Sequence, residues 1–438
     1  MRSRSLDFMD NISVNELVDS YENHLPREVC LSVAKGILSE FNDKNIILEE
    51  YVIAINNLMI SEQVKVINCT GTLLHTNLGR AQTKISFNGH ASNIEFDLSK
   101  QKRGERNEYL TYSMNLLLGS EGVCFVNNNA SSLFIALNTI KKYKDIDSVI
   151  ISRGEIVEIG GSYRLPEIIA ETGLKLVEIG TTNKTHKKDY SSALKQNPKA
   201  LVLKVNRSNF SISGFVEEVS IKELRSITDD YGALLIHDMG SGLVVEKKFL
   251  EKNNIDYFKN ELHVQDSLKD GADLVMFSGD KLFGSVQAGI IAGGRELVNN
   301  IKESPLFRTY RCSPVVTYEL QKTTNLYLSK KEAAIPFWRF LQITHGELLK
   351  RVEKISSKLT LDHSIDDDYS LIGGGSMPEV KIPSPVISMA ASEDSNILSK
   401  LATLDTPVIP RVNDNKIIFD IRSSFESDDE IIVNALNN

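Results

Sequence analysis

The chain has 438 residues, of which 41% are hydrophobic and 25% charged, and its formal net charge is −8. This length exceeds one ordinary hydrophobic core, so we expect two or three domains in a soluble globular protein. The acidic balance argues against a protein that coats nucleic acid, and the lack of an apolar run of about 18 residues predicts no membrane span.

The four cysteines lie far apart in the chain and show no metal-ligand spacing, so no metal site is predicted. The amino-terminal residues carry arginines and aspartates without the apolar segment of a secretory signal peptide. Together these features predict a cytoplasmic protein with reduced thiols.

Residues 1–62 are predicted to form a small helical domain, because apolar side chains recur there at helical spacing, as at Val14, Leu17 and Val18. Such a domain either caps the main core and supports oligomerisation or holds a macromolecular substrate. The residues alone favour the first role.

From Val64 onward the chain is rich in small polar residues up to Arg80. Such a run is a poor core strand, and we expect a loop that offers hydrogen bonds to a ligand, with Arg80 as a candidate cation for an anion. A turn-rich connector is the alternative.

The basic segment 97–110 is interpreted as a solvated loop. The more specific alternative is that it contacts an anion or a phosphate backbone.

Beyond residue 121 apolar strands alternate with helices, which predicts a mostly parallel sheet with helices on both faces. The predicted strands are 122–126, 148–152, 174–179, 201–205, 233–236 and 274–277, with an antiparallel return at 290–292. Ligands of such sheets bind beyond the carboxyl ends of the strands. Polar clusters fall at those ends, at 127–132, 153–155, 206–209, 238–242 and 278–281.

Asn128, Asn129 and Ala130 stand between the strand 122–126 and a predicted helix at 133–140. A helix N-terminus presents free N–H groups and the positive end of the helix dipole to a phosphate. We therefore predict a phosphate-binding turn, and ordinary helix capping is the alternative.

Lys281 follows Ser278 just beyond the strand 274–277, among small residues. A lysine in this position suits a Schiff base with the aldehyde of pyridoxal 5′-phosphate (PLP). Asp238 ends the preceding strand and is predicted to pair with the protonated pyridine nitrogen of that ring. Taken singly, Lys281 could be an ordinary surface lysine and Asp238 an ordinary capping residue. Together the two predict a PLP site with Lys281 and Asp238 as catalytic residues and Ser278 as a cofactor contact.

Residues 307–311 are predicted to be helical, which would place Arg308 and Arg311 on one face, where they could bind a phosphate or carboxylate. A surface arginine pair is the alternative.

The chain from 326 to 438 is interpreted as a smaller α+β domain with strands at 379–382, 386–389 and 416–421 and loops at 373–375 and 407–410. The predicted domains are therefore 1–62, a PLP-binding α/β domain at 63–325, and 326–438.

Several segments occur in an order known from one enzyme family: INCTGTLLHTNLGRA, KRGER, NNNASSLFIALNT, SRGEIVEIGGSYRLP, SNFSISGF, HDMGSG, GADLVMFSGDKLFGSVQAGII, FRTYR, GGGSMP and PVIPRV. In these segments the chain resembles the bacterial L-seryl-tRNA(Sec) selenium transferases, also called selenocysteine synthases. The resemblance spans about residues 64–422. It differs at Asn206-Arg207, where the family commonly has His-Thr, and at Ser285-Val286, where it has Gly-Pro.

The resemblance implies a fold-type-I PLP enzyme with Lys281 as the Schiff-base lysine and Asp238 on the pyridine nitrogen. It implies conversion of L-seryl-tRNA(Sec) to L-selenocysteinyl-tRNA(Sec) through an aminoacrylyl intermediate, with the selenium donor selenophosphate held by Arg80, Arg308 and Arg311. A homo-oligomeric ring of dimers and an amino-terminal tRNA-binding domain are implied as well, without DNA or membrane partners.

Two alternatives stay open from the sequence. One is a related PLP lyase or aminotransferase that acts on a small amino acid or an amino-sugar phosphate. The other is a non-catalytic tRNA-binding protein on a PLP fold. The helical segment 1–62 disfavours the first alternative, and the joint presence of Lys281 and Asp238 disfavours the second.

Overall fold

The computed structural model describes residues 12–23, 25–41, 43–60, 63–83, 91–160, 163–210, 212–373, 375–377, 379–391 and 397–437. They belong to two compact units, Met1–Val66 and Ile67–Asn438. Residues 1–11, 24, 42, 61 and 62 of the predicted helical domain and Gly374 of the predicted 373–375 loop lie outside the described residues. The further division of the chain at residue 326 stays a prediction. None of the described helices is both long and apolar enough to cross a membrane.

The first unit consists of helices α1 (Val14–Asp19), α2 (Arg27–Glu40) and α3 (Lys44–Ile60), which confirms the predicted helical region. Ser13 begins α1 with a capping box, in which its hydroxyl accepts from the Glu16 N–H and the Glu16 carboxylate accepts from the Ser13 N–H. The three helices bury one small apolar core, formed by Leu17, Val18, Cys30, Ala34, Ile47, Tyr51 and Ile55.

The second unit contains two larger sheets and two short hairpins. Its strands are β1 (Ile67–Cys69), β2 (Phe96–Asp97), β3 (Lys102–Arg103), β4 (Gly122–Val126), β5 (Ser148–Ser152), β6 (Glu158–Ile159), β7 (Tyr163–Arg164), β8 (Lys175–Ile179), β9 (Ala200–Val205), β10 (Leu235–Gly240), β11 (Leu274–Ser278), β12 (Gly289–Gly293), β13 (Ser364–Leu371), β14 (Lys381–Ala390), β15 (Val408–Asn413) and β16 (Lys416–Phe419). Its helices are α4 (Glu108–Leu118), α5 (Asn129–Tyr143), α6 (Leu165–Glu171), α7 (Lys187–Gln196), α8 (Ile221–Tyr231), α9 (Lys247–Lys252), α10 (Val264–Lys269), α11 (Arg295–Glu303), α12 (Phe307–Tyr310), α13 (Pro314–Leu328), α14 (Pro336–Gln342), α15 (His345–Ser356), α16 (Ile397–Ala402) and α17 (Asp429–Asn437).

The larger sheet has seven strands in the order β4-β12-β11-β10-β9-β5-β8. Its strand pairs are parallel except those of β12, which runs antiparallel to both β11 and β4. Both faces are covered: Leu274 and Met276 of β11 join one core, and Val275 and Phe277 join the other. The predicted parallel sheet and the antiparallel return at 290–292 are thus confirmed.

The smaller sheet has the order β1-β15-β16-β14-β13 and corrects several expectations. The run after Val64 was expected to be a loop, yet Ile67–Cys69 is a buried strand parallel to β15. Residues 407–410 were also expected to be a loop, although Val408 begins β15. The segments 379–382 and 386–389 were expected to be two strands but belong to the single strand β14. Its prolines lie where β14 pairs with β13 alone, since β16 pairs only with 387–390, and proline is tolerated at such an edge.

Candidate active site

A cavity lies at the carboxyl ends of β9, β10 and β11, beside the start of α5. Its lining includes seven of the residues that the sequence predicted for the site, namely Arg80, Asn128, Asn129, Ala130, Asp238, Ser278 and Lys281. The sequence did not single out four further polar residues of this lining, Asn206, Ser208, Asn209 and Gln287. Three of these belong to the polar cluster 206–209, and its position at the end of a predicted strand was the feature of the sequence that could have identified them.

Asp238 lies near the end of β10 and is 8% exposed. Its Oδ1 accepts hydrogen bonds from Asn129 Nδ2 at 2.7 Å and from the Gly240 backbone N–H at 3.1 Å. No donor to Oδ2 occurs among the described residues. Burial raises the pKa of this carboxyl group, and the bond from Asn129 offsets part of that effect. A buried carboxylate with one oxygen open to a cavity suits a cationic N–H of a ligand.

Lys281 follows β11 and is 4% exposed. Within the described part of the chain its amine makes no hydrogen bond or ion pair. Burial, and then the positive charge of Arg80, lower the pKa of this amine. Two glycines border the amine: a Cβ at Gly375 would lie 3.7 Å from Nζ and one at Gly240 would lie 4.0 Å away. Lys281 is therefore a buried amine that is poised to be a nucleophile.

Asn128 begins α5, and its side chain accepts a hydrogen bond from the Ser131 N–H at 2.9 Å. The backbone N–H groups of Asn129 and Ala130 precede the first helical hydrogen bonds, so the helix itself offers them no acceptor. They lie beside the cavity at the positive end of a 15-residue helix. This arrangement can bind a phosphate group.

The start of α5 packs directly against Gly289 of β12. A Cβ at Gly289 would overlap the Asn128 carbonyl oxygen and Ser132 Oγ. We expect Gly289→Ala to displace the helix N-terminus, to lower the free energy of unfolding by about 1–3 kcal/mol, and to weaken cofactor binding. Denaturant unfolding and cofactor titration measure both. Gly294→Ala is the matched control, because a Cβ there meets nothing within 4 Å, and an equal loss in both variants would contradict the prediction.

Arg80 reaches the cavity from the segment that precedes β2. Its backbone has a φ of 61°, in the left-handed region that is costly for a residue with a side chain. Its Nη1 donates to Asp280 Oδ2 at 2.7 Å, and Asp280 is itself buried. The ion pair fixes the guanidinium next to Lys281.

The family model for L-seryl-tRNA selenium transferase matches residues 66–425. The chain belongs to this family. The L-seryl-tRNA(Sec) selenium transferase of Alkaliphilus oremlandii is 36% identical, with 99% of this chain and 97% of the relative covered. The enzyme of the same name from Aquifex aeolicus is 35% identical, with 97% and 96% covered. Near-complete coverage at this identity extends the family likeness to both compact units.

A solved structure of D-glucosaminate-6-phosphate ammonia-lyase superposes with a TM-score of 0.58 and 18% identity, over 87% of this chain and 97% of that chain. At this identity the likeness shows the fold alone. It confirms the predicted fold-type-I α/β architecture.

PLP is the cofactor of the family, and the residues of the cavity fit it. The Lys281 amine can join its aldehyde, the open Asp238 Oδ2 can accept from its pyridine N–H, and the start of α5 can hold its phosphate. Ser278, at the end of β11, lines the same cavity. Within the described residues there is no cluster of three or more potential metal ligands.

Arg308 and Arg311 are not among the residues that line the Lys281 cavity, and they line a second cavity of about 680 Å³. Helix α12 ends at Tyr310, and Arg311 has an extended backbone, so the expectation of two arginines on one helix face is wrong. Arg311 leaves the helix because the chain turns to pair with Val126 of β4. Other charged residues line this cavity as well: Arg103, Arg106, Lys302, Glu95, Glu105 and Glu303.

Proposed function

We propose that the protein converts L-seryl-tRNA(Sec) to L-selenocysteinyl-tRNA(Sec) with selenophosphate as the selenium donor, in the cytoplasm. The observation that carries the proposal is the joint presence of Lys281 and Asp238 in one cavity of a chain from this family. Relatives named L-seryl-tRNA(Sec) selenium transferase share 36% identity over 99% of this chain.

Bound PLP supplies an electron sink for the charge that develops when a proton leaves the seryl Cα. Lys281 would first hold the cofactor and would then, as a free amine with a lowered pKa, take the Cα proton onto Nζ. Asp238 would keep a proton on the ring nitrogen by accepting a hydrogen bond from that N–H at Oδ2, and Asn129 holds Asp238 in place by donating to Oδ1. The β-hydroxyl group would leave as water with the proton held on Lys281 Nζ. The selenium atom would then add at Cβ while Cα regains a proton, and hydrolysis of the Se–P bond by water would release phosphate.

The donor is proposed to bind at Arg80, Arg308 and Arg311. Arg106 and Lys302 of the second cavity are neutralised by ion pairs, with Glu95 at 2.8 Å and with Glu105 at 3.3 Å. Arg308 and Arg311 have no ion pair with any described residue, so their charges are available to an anion such as selenophosphate.

A homo-oligomer built from dimers is proposed to complete this donor site. Within one chain Arg80 lines the Lys281 cavity, whereas Arg308 and Arg311 line the other. A second copy that brings its own arginines to the Lys281 cavity would join the three cations around one donor. The first unit is proposed to hold the tRNA, as the family resemblance implies.

The decisive experiment incubates the purified PLP-loaded protein with serine-charged selenocysteine tRNA, with and without selenophosphate. We expect selenocysteine on the tRNA only when selenophosphate is present, identified by mass spectrometry of the released amino acid. Unchanged serine in both reactions would refute the proposal. Turnover of free serine or an amino-sugar phosphate instead would identify a small-molecule lyase.

Arg308→Ala is expected to raise the KM for selenophosphate by about 10–100-fold, because one charge-assisted hydrogen bond contributes about 1.5–3 kcal/mol. Loss of the seryl hydroxyl group without donor should be unchanged. Steady-state kinetics with varied selenophosphate measure the first effect. Arg295→Ala, on the exposed start of the adjacent helix α11, is the control. A KM equal to that of the unaltered protein would remove Arg308 from the donor site.

A further inference from the structure

Asn206 directly follows β9 and lines the Lys281 cavity. Its backbone N–H donates to the Asp238 carbonyl oxygen at 2.9 Å, which places the residue beside the cofactor carboxylate. Its side-chain Oδ1 lies 3.0 Å from His237 Nε2. Among the described residues no acceptor is found for its Nδ2, which is therefore available to a ligand in the cavity.

His237 is fully buried beneath the site and also lies 2.7 Å from Ser267 through Nδ1. Burial, and secondarily the charge of Lys204, lower the pKa of His237 to about 3. The ring is therefore neutral and carries one proton. With Asn206 Oδ1 at 3.0 Å from Nε2, the matching tautomer carries that proton on Nε2, and Nδ1 then accepts from the Ser267 hydroxyl. In this arrangement Asn206 Oδ1 faces His237, which leaves the Nδ2 group free to donate to a ligand in the cavity that Asn206 lines.

The order of the strands indicates which part of PLP this N–H meets. In the proposed cofactor site the ring nitrogen lies at Asp238 on β10 and the phosphate at the start of α5, which follows β4 at one edge of the sheet. Asn206 ends β9, on the other side of β10. In PLP the oxygen on ring carbon C3 and the phosphate arm on C5 lie on opposite sides of the line from the ring nitrogen to the aldehyde carbon. The oxygen on C3 therefore belongs on the Asn206 side.

We propose that Asn206 donates a hydrogen bond from Nδ2 to the C3 oxygen of PLP, and that His237 positions Asn206 for this bond. The inference rests on the proposed function only in requiring that PLP binds at Lys281. His237 acts through Asn206 and does not touch the reacting atoms.

The test is a pH titration of the visible absorbance band of the PLP-loaded protein. A hydrogen bond donated to the C3 oxygen draws charge from that oxygen. The oxygen then stabilises the proton on the Lys281 nitrogen less strongly. Loss of the hydrogen bond in Asn206→Ala should therefore raise the pKa of that nitrogen by about one pH unit, and PLP should dissociate about 10-fold more readily. Asn197→Ala, in which the lost amide donates to a carbonyl oxygen within α7, should leave the titration unchanged.

A double-mutant cycle tests the role of His237. His237→Phe should shift the titration in the same direction as Asn206→Ala, and the double variant should shift no further than Asn206→Ala alone. Ser267→Ala, a milder change in the same chain of donors, replaces His237→Phe if that variant does not fold. A titration of Asn206→Ala that superimposes on that of the unaltered protein would overturn the proposal, and additive shifts would remove His237 from it. Failure of the unaltered protein to show any PLP band would instead refute the proposed function.

Discussion

Lys281→Ala is expected to abolish the visible absorbance of bound PLP and to reduce turnover of seryl-tRNA by at least about 1,000-fold. Among the described residues that line the cavity, Lys281 carries the only amine, and this amine can join the cofactor aldehyde and then accept the Cα proton. The described residues offer it no competing hydrogen bond, and burial favours its neutral form. Absorbance spectra and single-turnover assays measure both effects.

Two further variants separate chemistry from folding. Lys281→Arg keeps a positive charge but cannot form the covalent link, so it should be as inactive as Lys281→Ala. Lys248→Ala removes an exposed lysine and should be fully active. The lowered pKa of Lys281 means that its charged form is destabilised in the folded protein, so removal of the charge should not lower the unfolding temperature of the PLP-free protein. An active Lys281→Ala variant would end the PLP assignment.

The sequence predicted the central sheet and the site because both depend on local patterns. Apolar runs such as Leu274–Ser278 are buried on both faces, and each ends in polar residues at the same edge. Parallel strands bring those ends together, so Asp238 and Lys281 were expected in one cavity and line one. No distant contact had to be known for this inference.

The smaller sheet could not be predicted in the same way, because its pairings join distant parts of the chain. Strand β1 is only three residues long and pairs with β15, more than three hundred residues later. Its polar neighbourhood is stabilised by the buried carboxylate of Asp420, which accepts from Ser370 at 2.7 Å, Ser384 at 2.8 Å and Arg411 at 3.0 Å. The local composition around β1 therefore indicated a loop, whereas hydrogen bonds with distant parts of the chain make it a strand.

The helix with Arg308 and Arg311 shows the same limit on a smaller scale. The spacing of the two arginines is compatible with one helix face, but the Asn127 N–H donates to the Tyr310 carbonyl oxygen at 2.9 Å and draws the chain out of the helix. The role of Asn206 also required the structure. Its contact with His237 joins two neighbouring strands, and the sequence showed only that polar residues follow both.

Asp238→Asn is expected to leave PLP bound but to lower kcat by about 100–1,000-fold. The new side chain can keep an oxygen toward Asn129 and the Gly240 N–H, so the local hydrogen bonds survive. An amide N–H then replaces Oδ2 at the ring nitrogen. It favours the unprotonated ring, which accepts the charge of the Cα carbanion poorly. Retained absorbance with lost turnover distinguishes this variant from Lys281→Ala.

The same substitution has a signed effect on stability in the PLP-free protein. Burial raises the pKa of Asp238 in the folded state, so the stability that its protonated form contributes is present below the unfolded value of about 3.9 and is lost as pH rises through the folded value. Asp238→Asn has no such proton and escapes the loss. The free energy of unfolding is measured in urea for both proteins. The value for Asp238→Asn minus that for the unaltered protein should therefore increase as pH rises from about 4 to neutrality. For the exposed Asp256→Asn this difference should not increase with pH. A difference for Asp238→Asn that decreases as pH rises would mean that the ionised form of Asp238 is stabilised in the folded protein before PLP binds.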